Sequence, residues 1–230
     1  MRRLLIALMA AALIAPAAVA PAQQRRAVVQ RDWSQTVTMT AEGGYRMGNP
    51  AAPVKLVEYL SLTCPHCADF SRDGAPRLIQ NYVRTGRVSL EYRNFVLNEL
   101  DLTASMLARC ATPQNYFALN HAILANQQQW MGRLNQISPA QRQELSRLPQ
   151  LQQIRRVSTL VGLDALAARH GVTAARAQAC LTSQAGIDRL VGMVRAGSAA
   201  GVQGTPTFAI NGRIVPANDW ASLEPLLRGG

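Results

Sequence analysis

The chain contains short stretches in which apolar residues alternate or run continuously, and each of them predicts a strand. Residues 54–60 are apolar on both faces of an extended strand, which is typical of the centre of a sheet covered on both sides. Glu58 is the exception, because it shares a face with Leu56 and Leu60. A second strand is predicted over residues 88–96, which are rich in apolar and aromatic side chains.

Two further strands are predicted near the C-terminus. Residues 207–210 and 213–215 flank Asn211-Gly212, a dipeptide that strongly favours a two-residue β-hairpin turn. A last helix is predicted from Asn218 to about Leu227, with Asn218 as its N-cap.

Helical periodicity fills most of the chain between these strands. One helix is predicted from Pro65 to about Arg84, and apolar residues recur at helical spacing almost throughout residues 99–200. The order is therefore β-α-β, a long helical block, and then β-β-α. This order predicts an α/β fold in which residues 45–98 and 201–230 form a sheet domain around an all-helical insertion.

The first 44 residues precede this pattern. Residues 1–22 combine Arg2 and Arg3 with an apolar run and a stretch of small residues, which is typical of a secretory signal peptide. We expect cleavage near residues 20–22 and export to the periplasm; an uncleaved membrane anchor is the alternative. Residues 23–44 are polar and end in two glycines, so they are predicted to form a flexible arm.

Composition and charge narrow the possible partners. The 230 residues are 48% apolar and 16% charged, which suits one globular domain with an insertion. The formal net charge is +11, and Lys55 is the single lysine among 24 basic residues. The arginines are scattered along helical stretches without interleaved aromatic residues, so we expect solvated helix faces and no nucleic-acid partner. The positive charge would favour anionic membrane surfaces or acidic partners.

The motif that carries chemistry is Cys64-Pro65-His66-Cys67, placed between a buried strand and a helix. Pro65 suits the first helical position, which puts Cys64 at the N-cap, where free backbone N–H groups and the helix dipole stabilise a thiolate. Cys67 lies one turn further on, within reach of a disulfide, and His66 can add positive charge. In an exported protein this arrangement predicts a redox-active disulfide.

A structural disulfide and a zinc site are the alternatives for this motif. Zinc usually takes four ligands, and no second pair of closely spaced cysteines accompanies the motif, so no metal is expected. Cys110 and Cys180 each lie on the apolar side of a predicted helix, and in an oxidising compartment we expect them to form a second disulfide. Two separate buried cysteines are the alternative for this pair.

Three segments resemble the DsbA-like thiol:disulfide oxidoreductases, an exported branch of the thioredoxin superfamily. They are the Cys64–Cys67 motif, the acid Glu58 six residues before its first cysteine, and residues 201–208. The resemblance covers residues 45–228. It implies a thioredoxin-like fold with a helical insertion.

The resemblance also assigns roles to individual residues. It implies that Glu58 is a buried carboxylate that relays protons to and from Cys67; an ion pair with Lys55 is the alternative for this acid. It further implies a cis Thr205-Pro206 bond beside the disulfide, which offers Thr205 backbone groups to an extended substrate peptide.

The activity implied by the resemblance is oxidation of dithiols in reduced exported proteins. A substrate thiolate attacks Cys64, and a second substrate thiol then resolves the mixed disulfide. A membrane quinone-linked thiol oxidase is the expected reoxidant, no cofactor is expected, and the protein is expected to be a monomer. One alternative is a disulfide isomerase or reductase of the same fold, in which threonine is common at the position of Thr205. The other is a glutathione-dependent transferase or isomerase, which typically has serine at the position of Cys64.

Overall fold

A six-stranded sheet lies at the centre of the structure, a computed structural model that describes residues 31–228. The strands are β1 Val37–Met39, β2 Tyr45–Met47, β3 Val54–Leu60, β4 Val88–Asn94, β5 Thr207–Ile210 and β6 Arg213–Val215. Their order across the sheet is β1-β2-β4-β3-β5-β6. β3 and β4 run parallel, and the other neighbouring strands run antiparallel.

β3 is a central strand with both faces covered, as its continuous apolar pattern predicts. On one face Leu56 and Leu60 join the main apolar core of the protein. On the other face Tyr59 packs with Phe95 near α10 (Gln184–Ala199). A Cβ atom at Gly197 of this helix would lie 3.0 Å from the Phe95 ring, so glycine permits the close approach of helix and sheet.

Helices occupy most of the remaining described residues. The other α-helices are α1 Pro65–Asp73, α2 Ala75–Leu78, α3 Glu99–Ala108, α4 Pro113–Ala125, α5 Gln127–Gly132, α6 Pro139–Arg147, α7 Gln150–Leu160, α8 Leu163–Ala168, α9 Ala174–Leu181 and α11 Trp220–Arg228. α3 to α10 occupy the predicted insertion between β4 and β5. The prediction of an α/β fold with an all-helical insertion is therefore confirmed.

The N-terminal hairpin differs from the sequence prediction. Residues 37–44 are not a flexible arm, because β1 pairs with β2 and extends the sheet beyond β4. Val37 and Tyr45 bury their side chains, and Gly43 adopts a φ of +85° in the turn that connects the two strands. Strands of three residues carry too few apolar side chains to produce a recognisable alternation, which explains the wrong prediction.

Two helix predictions also need correction. The helix predicted from Pro65 to Arg84 is interrupted at Gly74, between α1 and α2, and Pro76 at the start of α2 has no N–H to donate to a helical hydrogen bond. A π-helix then covers Ile79–Val83. At the C-terminus the N-cap is Asp219 rather than Asn218, because the Asp219 carboxylate accepts a hydrogen bond of 2.8 Å from the Ser222 N–H.

The predicted signal peptide over residues 1–22, and the part of the predicted arm before residue 31, lie outside the described residues. Within residues 31–228, no helix is both long enough and apolar enough to cross a membrane.

Candidate active site

Cys64 stands at the junction between β3 and α1. It is the N-cap of α1, with an extended backbone conformation (φ −83°, ψ 123°), and Pro65 occupies the first helical position. Cys67 lies inside the first turn and has no exposed surface, whereas Cys64 keeps 6% of its surface exposed. The imidazole of His66 is exposed to solvent. Both cysteines are free thiols in this structure.

The two thiols lie in opposite electrostatic environments. A hydrogen bond from the Cys67 thiol, together with the Thr205 side chain and the backbone N–H groups of Cys67 and His66, lowers the pKa of Cys64 to about 5 against the opposing effect of burial. Burial raises the pKa of Cys67 well above its ordinary value, and the same hydrogen bond to Cys64 adds to the rise. Cys64 is therefore the thiolate of the pair at neutral pH.

Glu58 lies on the face of β3 that belongs to the main core, and it is 1% exposed. Burial first, and the charge on Cys64 second, raise the pKa of Glu58 to about 8. Its Oε2 atom has no hydrogen-bond partner. Lys55 is exposed and lies three residues earlier, on the opposite face of the strand, and no ion pair involving Glu58 occurs among the residues that the structure describes. The alternative of a Glu58–Lys55 ion pair is therefore wrong.

The Thr205-Pro206 peptide bond is cis and lies directly against Cys64. The Cys64 thiol donates a hydrogen bond of 3.1 Å to the Thr205 carbonyl oxygen. The Thr205 hydroxyl is buried and has no hydrogen-bond partner in this structure, and the Thr205 side chain contributes to the lowered pKa of Cys64. The segment around Thr205 thus forms one wall of the site.

Three polar residues that the sequence analysis missed hold the loop between β3 and α1. The Gln127 side-chain amide donates to the carbonyl oxygens of Leu62, at 2.9 Å, and Cys64, at 3.0 Å. Asp101 accepts from the Leu62 N–H at 2.9 Å. The Asn98 amide donates to the Thr63 hydroxyl at 3.1 Å. Of these three residues, only Asn98 stands in a local sequence pattern, that of an N-cap followed by an acid. Gln127 stands in a run of three glutamines, a pattern that predicts exposure to solvent.

The remaining cysteines lie within the helical insertion. Cys110, just after α3, and Cys180, in α9, are joined by a disulfide with a Cα–Cα distance of 5.7 Å. The structure thus brings the two predicted partners together. Across residues 31–228, no group of three or more potential metal ligands occurs.

A family model described as Thioredoxin matches residues 40–228. The chain belongs to the thioredoxin family. Among curated proteins, it is 42% identical over 82 residues to a Rickettsia bellii protein with the provisional name of a protein-disulfide oxidoreductase, and 39% identical over 85 residues to a similarly named Rickettsia conorii protein. These matches cover 36% of this chain but only 32% and 31% of the two relatives. The matched region thus spans about a third of each relative's length.

Several solved structures share the fold over most of their length. A protein-disulfide isomerase from Novosphingobium aromaticivorans is 32% identical, with a TM-score of 0.75, and the match covers 83% of this chain and 98% of that one. The α-DsbA1 protein of Wolbachia pipientis is 22% identical, with a TM-score of 0.66 and coverage of 83% and 92%. The DsbA protein of Chlamydia trachomatis is 18% identical, with a TM-score of 0.59 and coverage of 80% and 88%. The last two comparisons bear on the fold alone, which is that of DsbA-like proteins.

Proposed function

We propose that this thioredoxin-family protein is a thiol–disulfide oxidoreductase that oxidises dithiols in exported proteins through Cys64 and Cys67. The single observation that carries the proposal is the asymmetry of the two thiols. Hydrogen bonds stabilise the Cys64 thiolate, with its pKa near 5, while burial disfavours a charge on Cys67. A thiol with a low pKa is a good leaving group and makes the disulfide that contains it oxidising.

The reaction begins when a substrate thiolate attacks the Cys64 sulfur of the oxidised enzyme. The Cys64–Cys67 bond breaks, a mixed disulfide forms at Cys64, and Cys67 leaves as a thiolate. Because Cys67 is buried and its pKa is raised, it must take up a proton, and protonated Glu58 on the neighbouring strand is the donor. A second substrate thiolate then attacks the substrate sulfur of the mixed disulfide, and Cys64 is released as a stable thiolate.

The cis Thr205-Pro206 segment supplies the place for the substrate. The Thr205 carbonyl oxygen lies 3.1 Å from Cys64 Sγ, so an extended peptide that pairs with this backbone would bring its own cysteine to Cys64. We propose reduced exported proteins as substrates and a membrane quinone-linked thiol oxidase as the reoxidant, with the periplasm as the compartment. No metal or other cofactor takes part in this scheme, and a monomer is sufficient for it.

Disulfide isomerisation is the second candidate function, and two observations favour it. The 32% identical structure from Novosphingobium aromaticivorans is named a protein-disulfide isomerase. Thr205 also precedes the cis proline, as is common in isomerases and reductases of this fold. The same cysteines would serve, but the enzyme would have to be kept reduced. A glutathione-dependent transferase has less support, because Cys64 stands where such enzymes typically have serine.

The test is turnover with a reduced dithiol protein and with a scrambled, fully oxidised one. The proposed oxidase forms disulfides in the reduced protein and reactivates the scrambled protein slowly. Cys67→Ser accumulates a mixed disulfide with the substrate, whereas Cys64→Ser forms none. Efficient reactivation of the scrambled protein together with little net oxidation would contradict the proposal and favour the isomerase.

A further inference from the structure

A groove beside the Cys110–Cys180 disulfide gathers three arginines. Arg109, just after α3, Arg176 of α9 and Arg189 of α10 line an open groove of about 480 Å³. Cys180 lies in the wall of this groove, and the lining includes none of the active-site residues described above. The reaction scheme uses none of the three arginines, so this arginine groove is a separate feature of the molecule.

Two of the guanidinium groups approach the same sulfur atom. Arg189 Nη1 lies 3.1 Å from Met39 Sδ, and Arg109 Nη2 lies 4.0 Å from it. A thioether sulfur is a weak acceptor without charge, so it offsets little of the repulsion between two cations. The other hydrogen bonds of Arg109 go to the Gly43 carbonyl oxygen, at 2.7 Å, and the Asn94 side-chain oxygen, at 3.4 Å. Neutral partners thus hold two positive charges close together.

No side-chain carboxylate of the protein balances these charges. All 13 aspartate and glutamate residues of the chain lie within residues 31–228. Within that range, none of them forms an ion pair with Arg109, Arg176 or Arg189. Arg176 donates instead to the Ala111 carbonyl oxygen, at 3.4 Å. Because like charges that converge without a counter-ion repel each other, an anion from outside the chain would be bound favourably here.

The arrangement suits a phosphate group better than a single carboxylate. Three guanidinium groups approach from three parts of the chain, and each can donate two parallel hydrogen bonds. A phosphate monoester presents three acceptor oxygens to these donors, whereas a carboxylate presents two. Tyr45 and Met106 add apolar lining, and Met39 is 49% exposed, so an organic group attached to the phosphate would find an apolar surface. The volume is within the range of small-molecule sites.

We propose that the arginine groove binds the phosphate group of a soluble organic phosphate or of a lipid headgroup. The ligand is held without covalent chemistry, by the guanidinium groups of Arg109, Arg176 and Arg189. This role does not depend on the proposed function, because the groove is remote from the thiols. Strand register places Met39 in the same row of the sheet as Glu58, three strand spacings or about 14 Å away.

Calorimetric titration of the full chain with inorganic phosphate, at constant ionic strength, tests the site. We expect saturable binding by the wild type and at least tenfold weaker binding by Arg176→Gln/Arg189→Gln, because charge-assisted hydrogen bonds are lost. Both side chains are exposed, so the variant should fold and keep its thiol exchange activity. Arg147→Gln/Arg195→Gln is the control, since it removes the same charge from exposed positions outside the groove and should bind phosphate like the wild type. Acetate should bind at least tenfold more weakly than phosphate.

Two further probes distinguish the sources of the phosphate group. A soluble ligand predicts that glycerol 3-phosphate binds in the groove and that both double variants associate equally with phosphatidylglycerol vesicles. A lipid headgroup predicts that these vesicles retain Arg147→Gln/Arg195→Gln but release Arg176→Gln/Arg189→Gln. Absence of saturable phosphate binding by the wild type would overturn the inference. Equal weakening in the two double variants would also overturn it, because the effect would then come from net charge alone.

Discussion

At the scale of single residues, the two active-site thiols differ because of where they stand on one helical turn. Cys64 is at the N-cap, where the hydrogen bond from the Cys67 thiol first, and the backbone N–H groups of Cys67 and His66 in addition, lower its pKa to about 5. Cys67 is inside the turn with no exposed surface, and its pKa rises. Although the two cysteines are only three positions apart in the chain, one is the nucleophile and the other is the buried thiol.

Alkylation of the reduced protein should therefore occur first at Cys64 and remain fast at pH 6. The reason is that a thiol with a pKa near 5 is mostly thiolate at that pH, whereas an ordinary cysteine is mostly protonated. Peptide mapping after brief treatment with iodoacetamide, repeated at several pH values, measures which cysteine is alkylated and the midpoint pH of the alkylation rate. Modification that maps first to Cys67, or a midpoint near pH 9, would show that the assignment is wrong.

Glu58→Gln should make the oxidised protein more stable at pH 8 and leave its stability unchanged below about pH 4. The pKa of Glu58 is raised to about 8 in the folded protein, so its stabilising contribution is complete below the unfolded pKa of 4.5. It is lost as the pH rises towards 8, because the unfolded chain ionises while the folded protein holds the proton. We expect a gain on the order of 4 kcal/mol at pH 8 in denaturant unfolding, because each pKa unit between the folded and unfolded values corresponds to about 1.4 kcal/mol.

The oxidised protein is the right sample for that measurement, because Cys64 and Cys67 do not titrate in it. Burial, the main cause of the raised pKa of Glu58, is retained there. A stability difference between variant and wild type that is the same at every pH would assign Glu58 a structural role. The oxidised Glu58→Gln variant should also be reduced by a substrate dithiol more slowly than wild type, because the Cys67 thiolate has lost its proton donor.

The sequence predicts some of the site residues and not others, for a physical reason. Cys64, Cys67 and Glu58 stand in local patterns, either as a spaced pair or as an acid in an apolar strand. Gln127 acts on Leu62, which lies 65 positions away, and nothing local distinguishes it from Gln128, which is exposed. Contacts made by tertiary packing leave no periodic signal in the chain.

At the scale of elements, α5 supports the loop that carries Cys64. Gln127→Ala should lower the free energy of unfolding by about 1–3 kcal/mol, because the buried carbonyl oxygens of Leu62 and Cys64 lose their donor. It should also slow exchange, since the loop before α1 becomes less fixed. Gln128→Ala is the control for an adjacent exposed side chain. Equal stability of the two variants in denaturant would contradict the supporting role of Gln127.

The disulfide between α3 and α9 should stabilise the helical insertion without taking part in exchange. Cys110 and Cys180 are 70 residues apart, and closing a loop of that length contributes about 4 kcal/mol in the chain-entropy model. Cys110→Ser/Cys180→Ser should therefore lose roughly 2–4 kcal/mol of stability and keep its exchange activity.

The pairing of Cys110 with Cys180 can also be checked by counting thiols. The Cys64→Ser/Cys67→Ser variant should show no free thiol after denaturation without reductant, and two free thiols would contradict the pairing.

At the scale of the whole molecule, the sequence predicts the strands that are long or joined by a tight hairpin. β3, β5 and β6 have the predicted bounds, and the insertion between β4 and β5 is helical as expected. The edge strand β1 and its neighbour β2 were missed because each has only three residues, and their pairing is set by neighbours. Sheet order is likewise a tertiary property, because local patterns do not specify which strands become neighbours.

The fold as a whole brings the segment before β5 to the N-terminus of a helix that lies 141 positions earlier in the chain. β3 supplies Glu58, α1 supplies Cys64 and Cys67, and the segment before β5 supplies the Thr205 carbonyl oxygen. The account of function depends on one consequence of this arrangement, which is that the Cys64 thiolate is stabilised. A stabilised thiolate favours the reduced enzyme and makes its disulfide a strong oxidant.

Equilibration of the Cys64–Cys67 couple with defined ratios of reduced and oxidised glutathione tests this claim most directly. The fraction of reduced enzyme at each ratio, measured at pH 7 in the Cys110→Ser/Cys180→Ser background to leave one couple, gives the reduction potential. The account predicts a potential near about −120 mV, in the range of oxidising members of this fold. A potential near about −270 mV, typical of thioredoxin, would contradict it.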